Sequence, residues 1–351
     1  MIADDPRWDA ELLDALRRQA AHEALDEPAA TLDAQRRAAD AAALAGDVDG
    51  VARTDCRDRW VLARGRRVLV RVHRPRTDAV LPALVYLHGG GWVFGSLDTC
   101  DRLMRELALA GDVAVVGVDY ALSPEAVFPQ AAEECAAVFR QVMAEAATWG
   151  LDPQRMVLGG DSAGGNLAFA TALLLRDAQA DPAPDGAPEG APEGAPDGAP
   201  DRVTGGPPDG AATQAWRALR GVLAIYPVCD SAMDSASYAE FATGYGLDAA
   251  DMAWFWARYI PDQATRAAPL ASVGRAALHA LPPVLILAAE LDVLCGEGEA
   301  MAARLREAGV AVRHEVARGA WHGFLVHSPS AALSREALSQ AGDWLRERCR
   351  P

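Results

Sequence analysis

The chain contains no lysine; all 33 basic side chains among its 351 residues are arginine. A Walker A loop, a pyridoxal Schiff base and a Ser–Lys dyad each need a lysine amine, so those chemistries are excluded. Paired cysteines are missing too. Cys56, Cys100, Cys135, Cys229, Cys295 and Cys349 are scattered, with no C-x-x-C pair and no metal-spaced cluster. Reduced thiols in the cytoplasm are the expectation. Residues Met1 to Pro6 lack a basic n-region and an apolar h-region, so no signal peptide is expected. No apolar run approaches the ~20 residues of a membrane span. Positive charge is also short. The formal net charge is −16, which disfavours nucleic acid or an anionic membrane as partner.

What is present suits a globular chain. Hydrophobic residues make up 51%, enough to bury a sizeable core in one large domain or two. Residues 7–45 read as helical, with an apolar stripe of Leu12, Leu13 and Leu16 and dense alanines. Residues 1–50 are therefore a candidate helical cap segment, and 51–351 a catalytic domain. Val68–Val72 alternates like an antiparallel strand with one wet face. Ala83–Leu87 and Val113–Val118 are continuous apolar runs, as parallel strands covered on both faces require. Further strands are expected at Gly221–Tyr226, Val284–Ala289 and Val310–Val316. Helices are expected at Pro129–Ala147, Gly165–Asp177, Glu297–Ala308 and Ala331–Arg348. The alternation argues for an α/β fold, a mostly parallel sheet with helices on both faces. Residues 179–213 interrupt it with an acidic Ala-Pro-Asp/Glu-Gly repeat that cannot bury a core and reads as a disordered insertion. Residues 231–270, with a helix over Asp248–Tyr259, are assigned to the cap.

The chemistry centres on Ser162, in Gly160-Asp161-Ser162-Ala163-Gly164. The pattern G-x-S-x-G alone is weak: about 0.08 occurrences are expected by chance in this composition. Its setting is stronger. Met156-Val157-Leu158 precedes it and an apolar helical pattern follows, the strand–turn–helix context of a nucleophile elbow. Glycines at 160 and 164 keep Cβ atoms out of a tight turn. His88-Gly89-Gly90-Gly91-Trp92 follows a buried strand, and its backbone N–H groups, with that of Ala163, suit an oxyanion hole. Gly89, Gly90 and Gly91 all stay candidate donors. An acid is needed at a strand's C-terminal edge. Asp292 is favoured by its position beyond Leu285–Ala289, with Glu290 as the rival. His322 lies in a glycine-flanked loop between the last strand and last helix and is the candidate base. His327 is its rival, and His88 is read as structural. The order Ser162, Asp292, His322 matches α/β-hydrolases and neither chymotrypsin nor subtilisin.

These motifs resemble the hormone-sensitive-lipase-like family of carboxylesterases. Gly95-Ser96-Leu97-Asp98-Thr99 and Asp119–Ala131 look similar to bacterial acetyl esterases in particular. The resemblance covers roughly residues 83–176 and 221–347. It implies an α/β-hydrolase fold with a helical cap, no cofactor and no metal, and a small-molecule ester with a short acyl group, acetyl to about hexanoyl, as substrate. The chain departs from the family at Val293, where proline is frequent, which should loosen that turn slightly. Trp92 is expected beside the substrate. Trp254 and Trp256 cannot share a helix face, so at most one or two of Trp254, Phe255 and Trp256 can line a pocket. A non-catalytic receptor on the same fold, an amidase or a lipase are the alternatives, and a homo-oligomer is left open.

Overall fold

The computed structural model describes residues 2–23, 31–46, 52–180 and 211–350. Two helices, α1 (Ala10–Glu23) and α2 (Leu32–Gly46), precede the hairpin β1 (Asp55–Ala63) and β2 (Arg66–Arg74). Then come β3 (Leu81–Leu87), α3 (Asp101–Gly111), β4 (Ala114–Val118), α4 (Gln130–Glu145), β5 (Leu151–Asp161) and α5 (Ala163–Ala180). The rest is α6 (Ala211–Ala218), β6 (Leu219–Ile225), α7 (Ala236–Glu240), α8 (Ala249–Tyr259), β7 (Val284–Leu291), α9 (Cys295–Glu307), β8 (Val312–Trp321), α10 (Phe324–His327) and α11 (Ala332–Arg348). The fold is that of an α/β-hydrolase.

The eight strands form one sheet in the order β1-β2-β4-β3-β5-β6-β7-β8. Pairing is parallel from β4 through β8, while β2 runs against both β1 and β4. The reason is visible in the residues. Every side chain of β3 and β4 is buried, as continuous apolar runs demand. In β2, Val68, Val70 and Val72 are buried between half-buried Leu69 and Arg71, a period of two. Helices α4, α5 and α9 pack on one face and α3 and α11 on the other.

The expected helices and strands are found within a few residues, with informative exceptions. Strand β8 runs on to Trp321, which carries the chain directly to His322. Strand β1 was not legible in sequence: only Val61 and Ala63 are buried, so it lacks an alternating apolar signal. Helix α3 was missed as well; its N-cap is Cys100, with no side-chain cap bond to mark the start. Helix α5 extends to Ala180 and α6 starts at Ala211, so the ends of the 179–213 segment are helical. Residues 181–210, most of the acidic repeat, lie outside the described residues. The N-terminal helices part company. Leu12 and Leu16 of α1 are buried with Trp321 and Phe324, and only α2 reaches the site described next. Among the described residues no helix is long and apolar enough to cross a membrane.

Candidate active site

Ser162 stands between β5 and α5 at φ +55°, a left-handed conformation that costs ~1–3 kcal/mol outside glycine. Main-chain bonds hold it there: its N–H donates to Ile225 O at 2.8 Å, and its carbonyl accepts from Val228 N at 3.2 Å. The flanking glycines are sterically required. A Cβ on Gly164 would lie 1.9 Å from Leu87 O, and one on Gly160 2.3 Å from the same oxygen. The turn is thus pressed against the end of β3. Asn166, the only asparagine in the chain, is buried one turn into α5. Its amide donates to Val228 O at 3.1 Å and Ala271 O at 2.8 Å, fixing the loop after β6 beside the serine.

A hydrogen-bonded relay starts from this serine. His322 Nε2 is 2.9 Å from Ser162 Oγ, and His322 Nδ1 is 2.7 Å from Asp292 Oδ2. Asp292 is 1% exposed, and its other oxygen accepts from Leu294 N at 2.9 Å. In the turn after Asp292, Ser237 Oγ of α7 donates to Val293 O at 2.6 Å. The rivals are occupied elsewhere. Glu290 pairs with Arg318 and accepts from Gly319 N, both at 2.8 Å. His327 stacks on Trp321, and burial pushes its pKa down to about 4. His88 stacks on Tyr120 at 4.3 Å and bonds Gly89 O through Nδ1; burial also pushes it down to about 4, so it is a neutral strut.

The glycine loop sits beside Ser162, and one of its N–H groups is already taken. Gly89 N donates to Asp161 Oδ1 at 2.9 Å, an oxygen that also accepts from Tyr86 Oη at 2.6 Å. Burial pushes the Asp161 carboxyl up, opposed by these two donors. Gly90 at φ +110° and Gly91 at φ +59° turn the loop, and their N–H groups have no acceptor among the described residues. Trp92 is not on the cavity wall. It is 1% exposed, stacked on Tyr259 at 4.2 Å and tilted on Trp256 at 4.8 Å. The reason is packing between the loop and α8, which a single sequence does not display.

Above the serine lies a cavity of about 270 Å³. Its floor is Gly89, Gly90, Gly91, Ser162, Tyr226 and His322, and its roof is Ala39 of α2 with Leu247, Met252 and Phe255. Of the three aromatics weighed on α8, Phe255 alone lines the cavity, seated directly over Gly91. Trp254 stacks on Phe94 and lies against Arg258. Helix α2 is held in place by polar contacts: Arg36 donates to Val93 O and Ser123 O, each at 2.8 Å, and pairs with Glu125. Ser96 Oγ donates to Asp40.

Residues 84–326 match a family described by the alpha/beta hydrolase fold. The chain belongs to the hormone-sensitive-lipase-like family of α/β-hydrolases. It is 34% identical over 266 residues to an ethyl acetate hydrolase of Pseudomonas putida, covering 74% of this chain and 72% of that one. It is 33% identical over 264 residues to the carboxylesterase NlhH of Mycobacterium tuberculosis, again 74% and 72%. Among solved structures, a thermostable esterase from Pseudomonas putida superposes with a TM-score of 0.82 at 29% identity, over 99% of this chain and 100% of that one. A hyperthermophilic esterase from Pyrobaculum calidifontis gives 0.80 at 30% identity, over 97% and 98%. Carboxylic ester hydrolysis is the activity these hormone-sensitive-lipase-like relatives share by name.

Proposed function

We propose that the protein is a serine carboxylesterase acting on short acyl esters through an acyl-enzyme. The observation that carries this reading is the relay Ser162–His322–Asp292, with contacts of 2.9 and 2.7 Å, at the floor of an apolar-roofed cavity. Ser162 Oγ attacks the ester carbonyl while His322 Nε2 takes its proton and returns it to the leaving alcohol. Asp292 holds the imidazole with its proton on Nδ1 and stabilises the imidazolium. The oxyanion is received by the unengaged N–H groups of Gly90 and Gly91 with that of Ala163, each worth about 3 kcal/mol in the transition state. Gly89, whose N–H is bonded to Asp161, acts through the loop's shape.

Short acyl groups are favoured by the cavity, whose volume of about 270 Å³ lies under the ~300–1,000 Å³ of pockets for drug-sized ligands. The name of the ethyl acetate hydrolase points the same way. Residues 31–46 and 231–270 serve as the cap in this reading. A series of p-nitrophenyl esters from acetyl to dodecanoyl tests it. Turnover is expected to peak between acetyl and hexanoyl and to vanish in Ser162→Ala. A peak at long chains overturns the acyl assignment. A folded wild-type chain that a fluorophosphonate does not label at Ser162 overturns the hydrolase reading in favour of a receptor.

A further inference from the structure

A second group of reactive side chains lies outside the cavity. Cys56 of β1, His73 of β2 and Asp101 of α3 each present a ligand-type atom, and these atoms lie within 4.8 Å of one another. None of the three lines the cavity. The hairpin register makes the first pair, setting Cys56 directly opposite His73, and the first residue of α3 supplies the third. They are distant in sequence, so spacing gives no sign of the cluster.

The histidine is the decisive member. His73 is fully buried. Its Nδ1 meets Thr54 Oγ1 at 2.9 Å. Its Nε2 is 3.1 Å from Asp101 Oδ1, yet it makes no hydrogen bond of proper geometry among the described residues. A buried polar atom without a partner is costly. In the tautomer with the proton on Nδ1, donated to Thr54, the Nε2 lone pair faces a carboxylate oxygen and the cysteine sulfur. Asp101 Oδ1 also accepts from Arg71 Nη1 at 3.1 Å, and the three donor atoms lie close enough together to share one cation.

We propose that Cys56, His73 and Asp101 form a binding site for a zinc-type divalent ion, completed by solvent. Thiolate and imidazole select borderline-soft ions over calcium or magnesium, which take oxygen ligands. In that tautomer the bond from Nδ1–H to Thr54 Oγ1 is the outer contact that orients a metal-binding histidine. Charge permits the ion. Three carboxylates, Asp58, Asp98 and Asp101, face two guanidiniums, Arg71 and Arg105, and a thiolate adds a further negative charge. Cys56 is exposed, which provides the path of entry. The bound ion ties the edge hairpin β1–β2 to α3.

Cobalt(II), then zinc(II), added to the reduced, chelator-stripped full-length chain tests this. One equivalent of cobalt is expected to give near-ultraviolet thiolate-to-metal absorption, which zinc abolishes. Cys56→Ser should remove the absorption, and Asp101→Asn should weaken binding at least ~10-fold, both with unchanged circular dichroism. Cys295→Ser should leave the absorption intact. Zinc should raise the melting temperature of the wild type and not of Cys56→Ser. Lack of thiolate absorption in the wild type, its survival in Cys56→Ser, or unchanged affinity in Asp101→Asn overturns the assignment. The first of these would leave His73 and Asp101 as close neighbours with no ion between them.

Discussion

The floor of the cavity is laid by residues just past the ends of β3, β5, β6 and β8, whereas its roof is made of side chains from α2, from α8 and from Leu247 just before it. On the floor, positions are fixed by contacts that leave no slack, such as the 1.9 Å that separates a Cβ at Gly164 from Leu87 O. In the roof, Phe255 rests on Gly91, and α2 is attached through Arg36 and Asp40. In the proposed reading, the floor sets what chemistry is possible and the roof sets which substrates fit beneath it. The same division explains why so much of the floor can be found in short motifs and so little of the roof.

The sharpest way to break this comparison is on the floor. Ser162→Ala should lower kcat by at least ~10⁴-fold, with little change in melting temperature. Asp292→Asn should cost about 10⁴-fold in kcat by stabilising the wrong imidazole tautomer, whereas Glu290→Gln should leave kcat near the wild-type value. A large loss from Glu290→Gln with little from Asp292→Asn would reverse the choice of acid. Gly164→Ala, a single methyl group, should destabilise the fold by at least ~3 kcal/mol, seen as a large fall in melting temperature or in soluble yield.

How far these positions were legible follows from what determines them. Ser162 and His322 are carried by local glycine patterns at strand ends, and Asp292 by its place just past a buried strand, so one sequence sufficed to nominate them. The donor set was not legible. Gly89 loses its N–H to Asp161, a partner that only the β3–β5 pairing brings near. Trp92 was placed beside the substrate because it follows the glycines. It is instead buried by Trp256 and Tyr259, which the fold of α8 delivers from far along the chain. Ala39 offered no signal at all, since an alanine in an alanine-rich helix looks the same on either face.

A roof change should act more mildly. Phe255→Ala is expected to enlarge the cavity, shift the preferred acyl length upward by two or more carbons, and change kcat/KM for acetyl esters less than ~10-fold. An unchanged chain-length profile would remove Phe255 from the wall that limits the substrate. The smallest effect lies beneath both. Glu297 of α9 is buried and accepts from Cys229 N and Asp230 N in the loop after β6, and burial pushes its carboxyl up to about 8. An acid whose pKa is raised on folding binds more protons in the native state, so its contribution to stability falls as pH rises from ~4.5 towards 8. Glu297→Gln should flatten that slope in urea melts taken from pH 5 to 8. An unchanged slope would show that the carboxylate is stabilised as the anion by its two backbone donors.

The clash of any side chain at Gly164 with Leu87 has a consequence for descent. Because the glycine is demanded by the closeness of two backbones, it would persist in a lineage that had abandoned catalysis, for as long as the scaffold survived. Ser162 and His322 have no such protection, since the contacts described for their side chains are those of the hydrogen-bonded relay rather than of two backbones in contact. In divergent copies of this gene, then, an intact pair of glycines testifies only to a shared ancestor, and the serine and histidine beside them record whether the proposed chemistry is retained.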